Sequence, residues 1–333
     1  MQNNPLPRLD DAADLRQALL KHCRLRPGQI WKDPKGQHRV GCLDATDPAQ
    51  INELMSGRKA QLAIHDPPYN LVAFNTQRIH EYVAWCRLWI GTTLDAIATD
   101  ASLYVWLGAD QKDGYQPLPD FMIMMRDTPF KTRSFLTMRN QRGYGTQKNW
   151  MAVRQELLYY TKGNPSFNVE AEYTDIPKIL RGYYKEINGV MTENLERSKS
   201  ENIRAGNVWV DIQQVFYRME ENVNGCYAQK PLKCCDRIIR ASSNPRDLVI
   251  DFFAHSGSTL ISAEILQRDC YTIDIDPVYC EITIRRLEHY RQSNQTGWKN
   301  SHPFAREQHT DPEIQDILDK PAVLESANSL FPV

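Results

Sequence analysis

An α/β fold built around parallel strands, with a subdomain inserted into it, is what this chain of 333 residues predicts, and three observations predict it. Leu248-Val249-Ile250-Asp251 is a short apolar strand. A loop of small residues follows it, then a helical stripe of Leu260, Ile261, Ala263 and Leu266, then a second strand, Cys270 to Ile273. That is a βαβ unit, which requires parallel strands. Far upstream, the apolar run Leu62-Ala63-Ile64 leads into Asp66-Pro67-Pro68-Tyr69, a stiff turn at a strand end. The chain also exceeds the usual size of one compact domain, while a hydrophobic fraction of 41% suffices for a large core.

Five zones follow in order. Residues 1–27 form an arm with a helix from Asp10 to Leu25, whose stripe of Leu15, Ala18, Leu19 and His22 packs on the core or on a partner subunit. Residues 28–163 form the first half of the core. It holds strands at Gln37 to Asp44, Leu62 to Ile64, Leu103 to Leu107 and Arg154 to Gly163, with helices from Arg78 to Thr99 and from Pro117 to Asp127. The apolar face of the longer helix, Val83, Trp85, Cys86, Trp89, Ile90 and Leu94, reads as core packing. Residues 164–225 are rich in charge and turn residues and are long enough for a small helical subdomain. Residues 226–292 carry a helix after Pro231, the βαβ unit, and a helix from Val278 to Tyr290 that Pro277 is suited to start. Residues 293–333 are a tail, polar and loop-like to Thr310, with a short amphipathic helix between Pro312 and Leu330.

The turn Asp66-Pro67-Pro68-Tyr69 carries chemistry. An amine on a nucleobase ring is a poor nucleophile because its lone pair is delocalised. Two acceptors, the Asp66 carboxylate and the Pro67 carbonyl, draw the nitrogen toward a tetrahedral shape and aim that pair at an electrophile. Pro68 adds stiffness without a competing donor, and Tyr69 offers a ring on which an extruded base can stack. The alternative for the turn alone is a purely structural strand end. The loop after Asp251 points to a ligand as well: N–H groups at a helix start face a cofactor, and Asp274, after the second strand, accepts from ribose hydroxyls.

Together these motifs resemble the amino-methyltransferases of DNA that use S-adenosylmethionine, in the group whose catalytic motif precedes the cofactor loop. The resemblance spans roughly Gly28 to Tyr290. It implies a doubly wound, mostly parallel (mixed) sheet of the Rossmann-like methyltransferase type, with a target-recognition insert at 164–225. It implies S-adenosylmethionine as cofactor and Asp66, Pro67, Pro68 and Tyr69 as the catalytic motif. Asp251, Phe252, Phe253, Ala254, His255, Ser256, Gly257, Ser258 and Thr259 would form the cofactor loop. Asp44 would face the cofactor adenine, Asp274 its ribose, and Lys230 its methionine carboxylate or ribose. The acidic form of the motif implies N6 of adenine in double-stranded DNA. N4 of cytosine, methylation of RNA or a protein amide, and a DNA-binding protein without turnover are the alternatives. The chain departs from the family at Leu43, where glycine commonly precedes the acid, and at Ala228, where a hydroxyl residue is usual. It departs again at His255, a glycine in the family loop, whose ring is expected to turn away from the ligand and hydrogen-bond locally.

A net charge of −1 means that any DNA surface must come from local segregation of charge. The segment from Arg126 to Arg154 provides it, with Asp127 alone among acids. Arg133, Arg139, Arg142 and Lys148 are the candidate phosphate contacts, on a mobile loop around Gly143-Tyr144-Gly145. A solvated charged face is the alternative. The eight cysteines show no metal-binding spacing and read as reduced core thiols of a cytoplasmic protein; no metal is expected. No leader opens the chain and no apolar run reaches membrane-spanning length. Family members often pair, so a homodimer is an expectation of the same kind.

Overall fold

Five parallel strands carry the molecule, and most of their residues are buried, as strands covered on both faces must be. The computed structural model describes residues 6–68, 78–108, 116–144, 150, 152–168, 173–177, 183–194, 201–216, 218–299 and 301–319. In chain order the elements are α1 (Ala13–Leu19), β1 (Ile30–Lys32), β2 (His38–Cys42), α2 (Pro48–Met55), β3 (Ala60–His65), α3 (Ile79–Ala96), β4 (Ile97–Trp106) and α4 (Leu118–Met125). There follow β5 (Lys131–Tyr144), β6 (Ala152–Lys162), β7 (Tyr173–Pro177), β8 (Tyr183–Ile187), β9 (Val190–Asn194), β10 (Asn202–Arg204) and β11 (Val208–Trp209). The chain continues through α5 (Leu232–Ser242), β12 (Leu248–Asp251), α6 (Ser258–Ile265), β13 (Asp269–Asp274), α7 (Pro277–Ser293), α8 (Ala305–Thr310) and α9 (Pro312–Asp319).

The main sheet runs β1-β2-β13-β12-β3-β4-β6-β5-β11. Pairing is parallel from β2 to β4 and between β5 and β11, and antiparallel elsewhere, so the sheet is the mixed, mostly parallel one expected. Helices cover both faces. Cys86, Trp89 and Ile90 of α3 and Phe121 of α4 pack on one, and Ile238 of α5, Leu260 of α6 and Ile284 of α7 on the other. Two helix starts follow local rules: the Asp47 carboxylate caps α2 by accepting from Ala49 and Gln50 N–H, and Asp276 caps α7 by accepting from Val278 N–H. Each cap stabilises its helix by about 1 kcal/mol.

The chain enters and leaves β12 and β3 side by side, with Val249 opposite Leu62 and Ile250 opposite Ala63. Their carboxyl ends therefore deliver Asp251 and Asp66 to one edge of the sheet, where the strand order reverses and ligands of open α/β sheets bind. The β5–β6 hairpin reaches past the same edge. Trp106, the last residue of β4, pairs with Leu157, so the stretch of β6 before Leu157 and its partner residues on β5 overhang the site.

Several expectations need correcting. The first helix ends at Leu19, flanked by single 3-10 turns, because the chain turns extended at Cys23 to bring Arg24 onto Glu281 and Glu288. Its stripe packs on the core: Leu15 and Leu19 lie among Val278, Ile282 and Phe304. The regular elements among the described residues of the insert are strands, where a helical subdomain was expected. Asn188 (φ +53°) and Gly189 (φ +78°) join β8 to β9, and two positive-φ residues make the turn whose twist matches a hairpin. Gly143 and Tyr144 belong to β5, with Tyr144 paired to Ala152, so these two are strand where a loop was expected; Gly145 lies outside the described residues. The tail contains α8 within its loop-like part, and of the helix expected from Pro312 to Leu330 only Pro312–Asp319 lies within the described residues. Among the described residues no helix is long and apolar enough to cross a membrane.

Candidate active site

Residues from four separated parts of the chain line one pocket at the carboxyl edge of the sheet. Ile64 and Asp66 come from the end of β3, Lys230 from the turn before α5, and Asp251 with Phe253, Ala254, His255, Ser256, Ser258 and Thr259 from β12 and its loop. Trp106 of β4 closes one side. Among the residues the sequence singled out, these stand together.

Asp66 is half-buried, and the Lys230 ammonium stands 2.8 Å from its Oδ2 and 5.2 Å above the Trp106 ring. The resemblance implied a place for Lys230 beside the cofactor; in the structure it lines the pocket and pairs with the acid of the turn. Pro67 is buried, and the Pro68 carbonyl accepts from Tyr82 Oη at 3.2 Å, which ties the turn to α3. Tyr69 lies outside the described residues.

The loop after β12 is built from backbone geometry that Gly257 makes available. At φ +74° it caps α6 in the left-handed region, and a Cβ there would stand 3.0 Å from Thr283 Cγ2 and Oγ1. Behind the loop lies Arg286, fully buried, which donates to the carbonyls of Ser256 (2.8 Å), Thr296 (2.6 Å) and Glu221 (3.0 Å). Ser258 Oγ donates to the Lys230 carbonyl at 2.8 Å, which ties the loop to the turn before α5.

Charge in this pocket is strained by burial. Burial pushes the Asp251 carboxyl up to about 7, partly offset by Thr259 and the Phe253 N–H, and the neighbouring Asp66 and Asp274 add to the rise. Asp274 is likewise pushed up to about 7 by burial, although its oxygens accept from the main-chain N–H of His255 and Asp276, both at 3.0 Å. Asp274 does not line the pocket; it stands behind the loop it anchors, with Asp276 and Asp10 adding to its rise.

His255 takes a positive φ of +44° in glycine's place. Its ring lines the pocket, leaning on Tyr279 at 4.7 Å, and its Nε2 is buried without a hydrogen-bond partner among the described residues. The local hydrogen bond expected of it is not made at Nε2, and Tyr279 Oη donates instead to Asp10. Burial lowers its pKa and keeps the ring neutral.

Other candidates fall elsewhere. Asp44 does not line the pocket; its Oδ1 accepts from Thr46 N–H and Oγ at 2.8 Å, closing a turn. Phe252 is buried beneath the loop. Arg139 is exposed on the overhanging part of β5, whereas Arg133 sits back beside the Ser134–Tyr159 pair. The side chain of Arg142 and the whole of Lys148 lie outside the described residues. Sequence reasoning missed Trp106, Arg286, Asp10 and His65. Only His65 carried a signal, an imidazole between an apolar strand and the acid.

Residues 60–285 match the family model described as DNA methylase. The chain belongs to that family, the S-adenosylmethionine-dependent amino-methyltransferases that its motifs resemble. The type II methyltransferase M1.MboII of Moraxella bovis is 28% identical over 271 residues, covering 73% of this methylase and 92% of that protein. The DNA adenine methyltransferase YhdJ of Escherichia coli (strain K12) is 43% identical over a shorter stretch of 83 residues, 25% of this chain and 28% of that one. The solved PvuII DNA methyltransferase (cytosine-N4-specific) superposes with a TM-score of 0.57 at 16% identity, covering 88% of this chain and 98% of that one. At that identity it shows the shared fold.

Proposed function

We propose that this methylase transfers a methyl group from S-adenosylmethionine to the N6 amine of an adenine extruded from double-stranded DNA. The observation that carries this reading is that Asp66, at the end of β3, opens onto the same pocket as Asp251 and the loop from Phe253 to Thr259. The pocket's chemistry fits the donor. The Asp251 carboxyl, raised to about 7 by burial, favours a cation or a hydroxyl donor beside it, and the neutral His255 Nε2 still needs a polar partner. The bound donor supplies an electrophilic methyl group on a positively charged sulfur.

The chain's own residues do the rest. Asp66 and the Pro67 carbonyl accept the two N–H bonds of the amine and turn its lone pair toward the loop. Lys230 holds the carboxylate in place and offsets its charge before substrate arrives. As the nitrogen becomes cationic, Asp66 balances the new charge, and the surplus proton leaves after transfer. Attack by the exocyclic nitrogen needs no covalent enzyme intermediate, and all eight cysteines are free and buried. Arg139, on the overhang, is suited to a phosphate contact; Arg154 beside it is already paired with Glu156 at 2.7 Å. The strands of the insert are the candidate target-recognition region.

Adenine is favoured by the acid of the motif and by the likeness to YhdJ. The type II names of relatives such as M1.MboII suggest a restriction-modification setting. Expression in a host that lacks DNA methylation, followed by sequencing that detects modified bases, tests base and site together. N6-methyladenine at one recurring sequence is expected; N4-methylcytosine would overturn the base assignment, and unmodified DNA the activity.

A further inference from the structure

We propose that His65 is a positioning residue that sets the spacing between the amine-holding turn and the methyl-donor loop, through a hydrogen bond from the main chain of Phe252 to its side chain. The inference rests on the function proposed above and assigns a task to a residue that function did not use.

Strands β3 and β12 pair at Ala63 and Ile250, and both chains then part, one toward Asp66 and the other toward Phe253. At the point of divergence His65 Nδ1 lies 3.2 Å from the Phe252 N–H, so a side chain ties the two strands where they separate. Asp66 and Phe253 are each one residue beyond that bond. A shift here would move the acid and the loop relative to each other, and misplacement by about 1 Å is enough to cost methyl transfer a hundredfold.

The direction of every proton in this contact follows from its neighbours. Thr93 Oγ1 donates to the Trp89 carbonyl at 2.7 Å, so toward His65 Nε2, 3.1 Å away, it can only accept. Nε2 therefore carries the hydrogen, and Nδ1 presents the lone pair that Phe252 N–H requires. The ring is fully buried, stacked on Phe252 at 4.9 Å and 22°, with the edges of Trp89 and Phe253 against it at 5.7 and 5.9 Å. Burial pushes its pKa down to about 3, so it stays neutral at any working pH. With both nitrogens engaged and no charge, it orients other groups and does not exchange protons with substrate.

The test uses the full-length protein and substitutions that separate hydrogen bonding from packing. His65→Asn keeps an acceptor where Nδ1 stood but leaves a poorly filled aromatic site; His65→Phe fills the site but has no acceptor. Binding of S-adenosylhomocysteine by calorimetry, single-turnover methyl transfer to unmethylated DNA, and melting temperature are measured for each. The expected result is opposite orderings. His65→Phe melts higher than His65→Asn, yet transfers at least tenfold more slowly and binds the product more weakly. Thr93→Val, which removes the group that fixes the tautomer, should slow transfer several-fold, and Thr93→Ser should restore it. Activity that simply tracks melting temperature, or a Phe variant equal to wild type, would reduce His65 to a packing residue. If the Asn variant does not fold, the Thr93 pair decides alone: equal rates for Val and Ser overturn the proposal. Wild-type protein that binds no S-adenosylhomocysteine would instead overturn the function on which it rests.

Discussion

Asp274→Asn is the substitution whose effect the structure specifies most closely, through pH. The carboxyl is pushed up to about 7 by burial and by its acidic neighbours Asp276 and Asp10. If the ionised form accepts from the donor's ribose, affinity must follow its ionisation. About one molecule in eleven is ionised at pH 6 and about ten in eleven at pH 8, so the association constant should rise roughly tenfold, about 1.4 kcal/mol. Stability of the unliganded protein runs the other way. A carboxyl whose folded pKa lies above its ordinary value of 3.8 contributes stability that is complete below about pH 4 and is lost as pH rises toward 7. Binding and folding therefore have opposite pH slopes. Calorimetric titration with S-adenosylhomocysteine at pH 6, 7 and 8 measures the first, and the melting temperature of the apoprotein measures the second. In Asp274→Asn both slopes should flatten. The ligand's own amine titrates identically against both proteins and drops out of the comparison. A wild-type affinity that does not change between pH 6 and 8, or a variant that keeps the slope, would refute the assignment.

The remaining predictions concern the turn, the loop and the buried arginine. Asp66→Ala should abolish transfer while donor affinity, measured by calorimetry, stays within a few-fold; retained turnover would remove Asp66 from the chemistry. Gly257→Ala puts a Cβ 3.0 Å from Thr283 at φ +74°, which should cost about 1–3 kcal/mol of stability in urea unfolding and weaken donor binding; an unchanged midpoint would show that the loop relaxes freely. Arg286→Met leaves the Ser256, Thr296 and Glu221 carbonyls without their buried donor, and a loss of about 3 kcal/mol or more is expected by the same measurement. A loss under about 1 kcal/mol would mean that water replaces the guanidinium.

What the sequence determined by itself is local. An apolar run punctuated by Asp66-Pro67-Pro68 could only be a strand end. The alternation of Leu248–Asp251, small-residue loop, helix and strand reads as a βαβ unit, because buried parallel strands need continuous apolar runs and the loop between strand and helix needs small residues to turn tightly. The β8–β9 hairpin was legible too, in Asn188-Gly189, but the surrounding charge drew the expectation toward helices. Other features were undecidable before folding. His65 and Phe252 are 187 positions apart, Arg286 and Ser256 are 30, and Asp10 reaches Tyr279 across 269. A buried polar side chain must find a partner, but which partner depends on which strand or helix packs beside it. Lys230 and Asp66 show the same limit: their types announce a charged site, and only the adjacency of the turn before α5 to the end of β3 makes them a pair.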